Sequence, residues 1–184
     1  MTNTYEIHPS DIELLRSQGM SGDDLEHSIT VARKALEIAG RVSTPVDMEF
    51  VGRGALFHDL GKVKTHDIDH GRLGAELGTE LGLPPEINGV MEKHIRGGLT
   101  PGEAVELGLP VKEYTLGRLE ERIIIYADRL VDIITEDIVE INQESEAETR
   151  FEEILTTIPK YGKNEITTRR YLGYHREIQG LCRG

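Results

Sequence analysis

The heptapeptide Leu-Phe-His-Asp-Leu-Gly-Lys at positions 56–62 constrains the fold more than any other stretch of the chain. It closes an apolar run of helical period. Positions 51, 55 and 58 share one helical face and 52, 55, 56 and 59 share an overlapping one, so His58 and Asp59 stand beside Val51, Ala55 and Leu56 on the side expected to be buried. Leaving a neutral polar group there unpaired costs on the order of 2–7 kcal/mol, and an ionised carboxylate costs more. The chain must therefore fold so that other segments deliver partners to this pair. A divalent cation suits neutral imidazole and carboxylate together.

Helical stripes carrying further histidines and acids recur on both sides of the heptapeptide. Ser10 to Glu13 predicts a capping box opening a short helix that stops at Gly19. Ser21 caps the next, where His27, Val31, Ala35 and Ile38 form one stripe, ended by Gly40 and Ser43-Thr44-Pro45. Thr44 as N-cap with Pro45 at the first helical position starts a third helix, which passes Met48, Val51 and Ala55 to reach His58-Asp59 and stops near Gly61. Lys62 to Asp69 reads as a polar loop. His70 then aligns with Leu73, Gly74 and Leu77 in a helix closed by Gly82 and Pro84-Pro85, and Glu86 to Arg96 puts Ile87, Val90, Met91 and His94 on one face. Thr100 to Glu103 is a second capping box. The longest helix is expected to start near Thr115 to Arg118 and to run past Ile141, with Ile124, Ile125, Asp128 and Val131 inward. Another covers about Glu146 to Ile158, and the last begins near Asn164 and carries Arg169, Arg170 and Arg176. No segment alternates with period two long enough for a strand, and neither an internal repeat nor a low-complexity tract is present. The expected fold class is all-α, a compact bundle of about seven to nine helices.

Composition narrows the setting. A chain of 184 residues fits one domain over 1–184, with the motif core at about 25–132 and the helices of 145–184 packing on it or covering it. With 33 Asp plus Glu against 21 Lys plus Arg, the net charge of -12 disfavours nucleic-acid polymers and anionic membranes as partners, so an anionic substrate needs a locally positive pocket. The single cysteine, Cys182, excludes an internal disulfide framework. The longest plain apolar run, Ile123 to Ala127, is far too short to span a bilayer, and no N-terminal stretch combines basic residues with an apolar core. A cytoplasmic location is expected. With no Trp and three Phe, the core falls to Leu, Ile, Val and Ala, which suits helices packed on helices.

Four of the seven histidines, His27, His58, His70 and His94, thus lie on apolar helical faces with Asp59 and Asp128. Six such groups would each need a buried partner, and coordination of one or two shared metal ions satisfies them together. The order His27, then His58-Asp59, then Asp128 resembles the motif of the HD superfamily of metal-dependent phosphohydrolases, which binds a divalent metal inside a helical bundle. The segment His70-Gly71-Arg72-Leu73-Gly74-Ala75 is similar to the one that supplies an extra histidine in binuclear members, and His94 followed by Gly97 is similar to the other. The resemblance implies a first metal held by His27, His58, Asp59 and Asp128, and a second held by His70 and His94 with Asp59 as bridge.

It also implies the chemistry. Metal-activated water would attack the phosphate of a small phosphorylated substrate, a nucleotide or dinucleotide, with Asp59 and Lys62 in catalytic positions. Lys62 matches the family's His-Asp-x-x-Lys pattern, although a lysine at a helix C-terminus also favours the helix dipole. Arg96 and Arg129 are the further candidates for facing an anion, against the reading of surface salt-bridge residues. The ligand types do not separate Fe, Mn, Zn, Ni, Co and Mg. Cyclic-dinucleotide specificity lacks its Gly-Tyr-Pro signature here. Two other readings keep the same ligands: a di-iron oxygenase of the HD type, and a metal-stabilised regulatory or interaction module without turnover. His66-Asp67 sits in the polar loop and is assigned no metal, and His8 and His175 are expected to face solvent. Glu136, Asp137, Glu140, Glu144, Glu146 and Glu148 read as a solvated face. For the C-terminal arginines two roles stay open, a phosphate lid or pairing with that acidic face.

Overall fold

The computed structural model describes residues 4–182, and among them the backbone is helical, with no sheet. Eleven α-helices follow in order: α1 (Pro9–Ser17), α2 (Gly22–Arg41), α3 (Met48–Phe57), α4 (His70–Glu80), α5 (Pro85–Lys93), α6 (Pro101–Glu106), α7 (Leu119–Thr135), α8 (Ser145–Thr149), α9 (Phe151–Thr157), α10 (Pro159–Gly162) and α11 (Glu165–Leu181). Short 3-10 turns at Leu60–Val63 and Ile95–Gly97 follow α3 and α5. The count exceeds the expected seven to nine for a local reason. The segment read as one helix over Glu146 to Ile158 breaks at Arg150 into α8 and α9, and Pro159 opens the extra turn α10.

The helix starts show which sequence signals decide. Ser21 caps α2 by accepting from the amide of Asp24, and the Thr100–Glu103 capping box closes in both directions at α6. Two expected caps are corrected. Helix α1 starts at Pro9, whose ring presets the first helical φ, so Ser10 lies inside the helix and Asp11 instead takes an ion pair from Arg53 at 3.0 Å. Helix α3 starts at Met48 because Asp47, not Thr44, accepts from the amide of Phe50. Two ends also shift. Gly40 stays inside α2, which at 20 residues is the longest helix, and α7 ends at Thr135 instead of running past Ile141.

Helix α2 packs against α3 and α7, and α4 against α5. The run Ile123 to Ala127 is buried on every side because α7 lies between α2, α3 and α11. Each isoleucine so buried contributes roughly 1.5–3 kcal/mol. A second, smaller apolar cluster of Ile95, Leu99, Ala104, Leu109 and Tyr114 sits under α6. No helix is long and apolar enough to cross a membrane among the described residues.

Helix α11 is held by polar contacts as well as packing. Asn164 caps it, and Arg170 reaches Arg96 O at 3.1 Å and the buried carboxylate of Glu103 at 2.6 Å. Arg169 pairs with Glu165 within α11 and Arg176 with Glu152 of α9, whereas Arg170 ties α11 to α6. His175 is a further correction: it is half-buried, stacks on Phe151 and lies 2.5 Å from the Tyr126 hydroxyl. Its burial follows from α11 packing on α7. His8 is exposed as expected. The acidic stretch after α7 is less a free face than a set of pairs, since Glu136 meets Lys160, Glu144 meets Lys34 and Glu148 meets Arg41.

Candidate metal centre

Five segments converge at one point. Helix α2 carries His27, the end of α3 carries His58 and then Asp59, α4 begins at His70, His94 follows α5, and α7 carries Asp128. All six ligand candidates from the sequence come together. His27 Nε2 lies 2.9 Å from Asp128 Oδ1, and His58 Nε2 lies 3.2 Å from Asp59 Oδ2 and 3.4 Å from Asp128 Oδ1. On the other side, Asp59 Oδ1 is 3.3 Å from both His70 Nε2 and His94 Nε2. The two oxygens of Asp59 are thus divided, Oδ2 toward His58 and His27 and Oδ1 toward His70 and His94.

Local backbone geometry aims the rings. His58, His70 and His94 each donate Nδ1–H to a carbonyl three residues earlier, that of Ala55, Asp67 and Met91, at 2.6, 2.8 and 2.6 Å. A carbonyl can only accept, so in each neutral ring the bare lone pair is on Nε2, the atom that faces Asp59. Such second contacts orient histidine ligands in metal sites.

The donor set fits a cation. His58 Nε2 is buried without a hydrogen-bond partner, and His70 Nε2 and His94 Nε2 face each other at 2.9 Å, an arrangement in which two lone pairs repel unless a positive charge lies near them. Ligand atoms of His27, His58 and Asp59, and separately of Asp59, His70 and His94, lie within 4.8 Å of one another. The two carboxylates favour a positive charge here, supplied by a proton on His58 Nε2 or, in its place, by a cation. Burial disfavours charge on His58, yet Asp59 and Asp128 outweigh it and hold its pKa well above the ordinary value. Burial likewise opposes ionisation of Asp59 and Asp128, and the neighbouring imidazoles, His58 foremost, override it and keep both carboxyls far below the usual range. His94, where burial wins over Asp59, is shifted down toward the neutral form.

Around this centre opens a cavity of about 460 Å³. Lys62 lines it, with Nζ 3.0 Å from Asp59 Oδ2; burial would lower its pKa, but Asp59 raises it, so the ammonium stays charged. Arg96 and Arg129 line the same cavity, and among the described residues neither has a carboxylate within 4.0 Å. His66 stands at the cavity margin, exposed, with Nε2 2.8 Å from Asp24 Oδ2.

Asp132, Lys163 and Tyr171 are among the lining residues that escape the sequence reading. Asp132 brings Oδ1 to 3.9 Å from His27 Nδ1, and its pKa is pushed up to about 7 by burial and by Asp128. Its signal was available, since it sits one helical turn after Asp128 on the same helix. Lys163 and Tyr171 come from the C-terminal segment, where no apolar stripe leads toward the metal ligands.

Comparison with known proteins agrees with this geometry. The model of the HD domain matches residues 24–133, more than half of the chain. Over 110 residues the chain is 43% identical to an uncharacterised protein of Methanocaldococcus jannaschii, covering 58% of this chain and 65% of that one. It is 38% identical over 120 residues to the tRNA (cytidine(56)-2'-O)-methyltransferase of Picrophilus torridus, covering 65% of this chain and 35% of the relative. A ribonuclease Y of Pseudothermotoga lettingae is 34% identical over 101 residues, which are 51% of this chain and 19% of the relative. The matches therefore span less than two thirds of each of these relatives. Among solved structures, the HD domain of the L. monocytogenes phosphodiesterase PgpH in complex with cyclic-di-AMP superposes with a TM-score of 0.54 at 18% identity, covering 97% of this chain and 100% of that one. That likeness is one of fold.

Proposed function

The chain belongs to the HD domain family, and from that premise we propose that it is a metal-dependent phosphohydrolase acting on a phosphate ester or anhydride of a nucleotide or dinucleotide. The observation that carries this reading is the division of Asp59 between two pairs of histidines. A carboxylate so placed suits a bridge between two cations, one held by His27, His58, Asp59 and Asp128 and the other by Asp59, His70 and His94. Divalent ions there would supply Lewis acidity toward phosphate oxygens and lower the pKa of bound water.

The chain's own groups do the rest. The Nδ1 contacts of His58, His70 and His94 keep their rings from rotating, so the ligands need little reordering on binding. Lys62 places a charged ammonium beside Asp59, where it can hold a substrate phosphate oxygen and offset the negative charge that builds at phosphorus. Arg96 and Arg129 extend positive charge along the cavity, giving an anion a favourable seat in a protein whose net charge is -12.

The relatives support a second reading. The Picrophilus relative is a tRNA methyltransferase and the Pseudothermotoga relative a ribonuclease, which makes an RNA phosphodiester an alternative substrate. The excess of acidic side chains weighs against a long polymer. One experiment tests both: metal analysis of the purified protein, joined to a screen of phosphomonoesters, nucleotides, dinucleotides and a short oligoribonucleotide. We expect Asp59→Ala to lose metal and activity together, by at least about a hundredfold in rate. His70→Ala and His94→Ala should each reduce the metal content from about two ions toward one. Full activity and full metal in Asp59→Ala would end the metallohydrolase reading, and a single ion in wild type and both histidine variants would remove the second site.

A further inference from the structure

Acidic groups outnumber basic ones in this chain, and most of its cations are paired. Among the described residues, the arginines and lysines with no carboxylate within 4.0 Å are Arg33, Lys64, Arg96, Arg129 and Lys163. Three of those five, Arg96, Arg129 and Lys163, line the cavity beside the metal centre. Chance placement does not favour that gathering, because like charges repel.

Arg129 is the most telling of the three. Only 8% of it is exposed, its Nε is buried with no hydrogen-bond partner, its guanidinium meets the Tyr171 hydroxyl at 3.1 Å and the Tyr171 ring at 4.5 Å, and Asp128 and Asp132 act on it from beyond salt-bridge distance. Those carboxylates favour its charge but do not touch it, so the buried Nε–H is left for an anion in the cavity to accept from. The other two are held at unusual backbone angles. Arg96 has φ 50° and Lys163 φ 61°, two of the three non-glycine residues with positive φ among those described. Such conformations cost about 1–3 kcal/mol and persist where surrounding structure enforces them, often at functional sites. Here the enforcement is visible, since Arg170 and Tyr174 of α11 grip the carbonyls of Arg96 and Gly97 at 3.1 and 2.6 Å. The three cations also feel one another: partial burial first, then Arg129, Arg96 and Lys160, lower the pKa of Lys163, against Asp132, which raises it. Lys160 itself is committed to Glu136.

We infer that Arg96, Arg129 and Lys163 form a second anion subsite, which seats a phosphate adjoining the one presented to the metal centre and so selects nucleotides carrying two or more linked phosphates. As a statement about substrate, this rests on the phosphohydrolase reading; as a binding site, it stands on the three side chains alone. Arg96, Arg129 and Lys163 line the same cavity as Asp59, His94 and Asp128, so one ligand with linked phosphates can meet both groups.

The test is a titration of the metal-loaded full chain with inorganic phosphate and with methylenediphosphonate, a diphosphate analogue that cannot be hydrolysed. Wild type is expected to bind the diphosphonate at least tenfold tighter than phosphate. In Lys163→Gln and Arg96→Gln that ratio should fall at least fivefold, with thermal melting of each variant compared with wild type to show that it is folded. Lys163 is exposed, so its replacement does not disturb the core. A ratio unchanged in both folded variants, or absent in wild type, overturns the subsite. If the ratio behaves as expected while no phosphorylated compound is turned over, the subsite stands and the hydrolase reading falls.

Discussion

A methyl group added at Gly61 would sit 1.7 Å from the carbonyl oxygen of His70 and 2.8 Å from the amide of Gly74. Both obstacles are backbone, so neither can swing aside. The missing side chain lets the turn after Asp59 lie directly on the first turn of α4, and this brings His70 to the Oδ1 side of Asp59. Gly61→Ala is expected to destabilise the fold by at least about 3 kcal/mol, read by chemical denaturation, and to lose the second metal ion even where some protein folds. Gly19→Ala is the control: its φ of 90° carries a strain of about 1–2 kcal/mol, but nothing lies within 4 Å of the added carbon. Equal effects at the two positions would refute this account. The sequence alone reads Gly61 as a helix stop, because a close approach between distant backbones leaves no periodic trace. The candidate ligand histidines are legible for the opposite reason: each interrupts an apolar stripe where a polar group is out of place. Lys163 has no such setting, since it follows Gly162 in a turn of positive φ.

At the scale of elements, helix interiors follow from the sequence better than helix ends. The stripe of Val31, Ala35 and Ile38 is fully buried, as its spacing requires, whereas Asp47 displaces Thr44 as the cap of α3 because both are good caps and only packing decides between them. Helix α7 stops early where Asp137 takes a φ of 56°, a conformation that no periodicity announces. Tertiary pairs then fix how elements meet. Glu103 of α6 and Arg170 of α11 form a buried ion pair; burial would raise the Glu103 pKa, but Arg170 and the Thr100 amide outweigh it and set it below 4.5. A carboxyl whose folded pKa is depressed contributes stability above its unfolded pKa and loses it as pH falls through the folded value. Unfolding free energy measured from pH 7 downward should therefore drop below about pH 4.5 more steeply in wild type than in Glu103→Gln. The variant itself, which leaves Arg170 without its carboxylate, should be about 3 kcal/mol less stable at pH 7. Parallel pH profiles would show that the pair contributes nothing.

For the whole molecule, the candidate metal centre is a convergence of five segments, and anything bound there acts on all of them. A ligand that binds only the folded chain at a hundredfold its dissociation constant adds about 2.7 kcal/mol of stability. For a chain of this length that corresponds to about 5–10 °C in melting temperature, so a chelator should lower the midpoint by this amount and added divalent metal should restore it. No shift with chelator, in protein shown by elemental analysis to lose its metal, would mean that the ions do not bridge the segments.

His27 and Asp128 meet across 101 residues of sequence, and His70 and His94 join them from two further helices. Contacts so distant along the chain close only after the loops between them are ordered, at an entropic cost that local helices never face. If the ligands come together only after the passage that limits folding, the consequence is kinetic. Stability added by metal at such a point slows the escape from the folded state and leaves the speed of reaching it unchanged. The centre would then act as a kinetic latch, lengthening the lifetime of a bundle that can assemble without it.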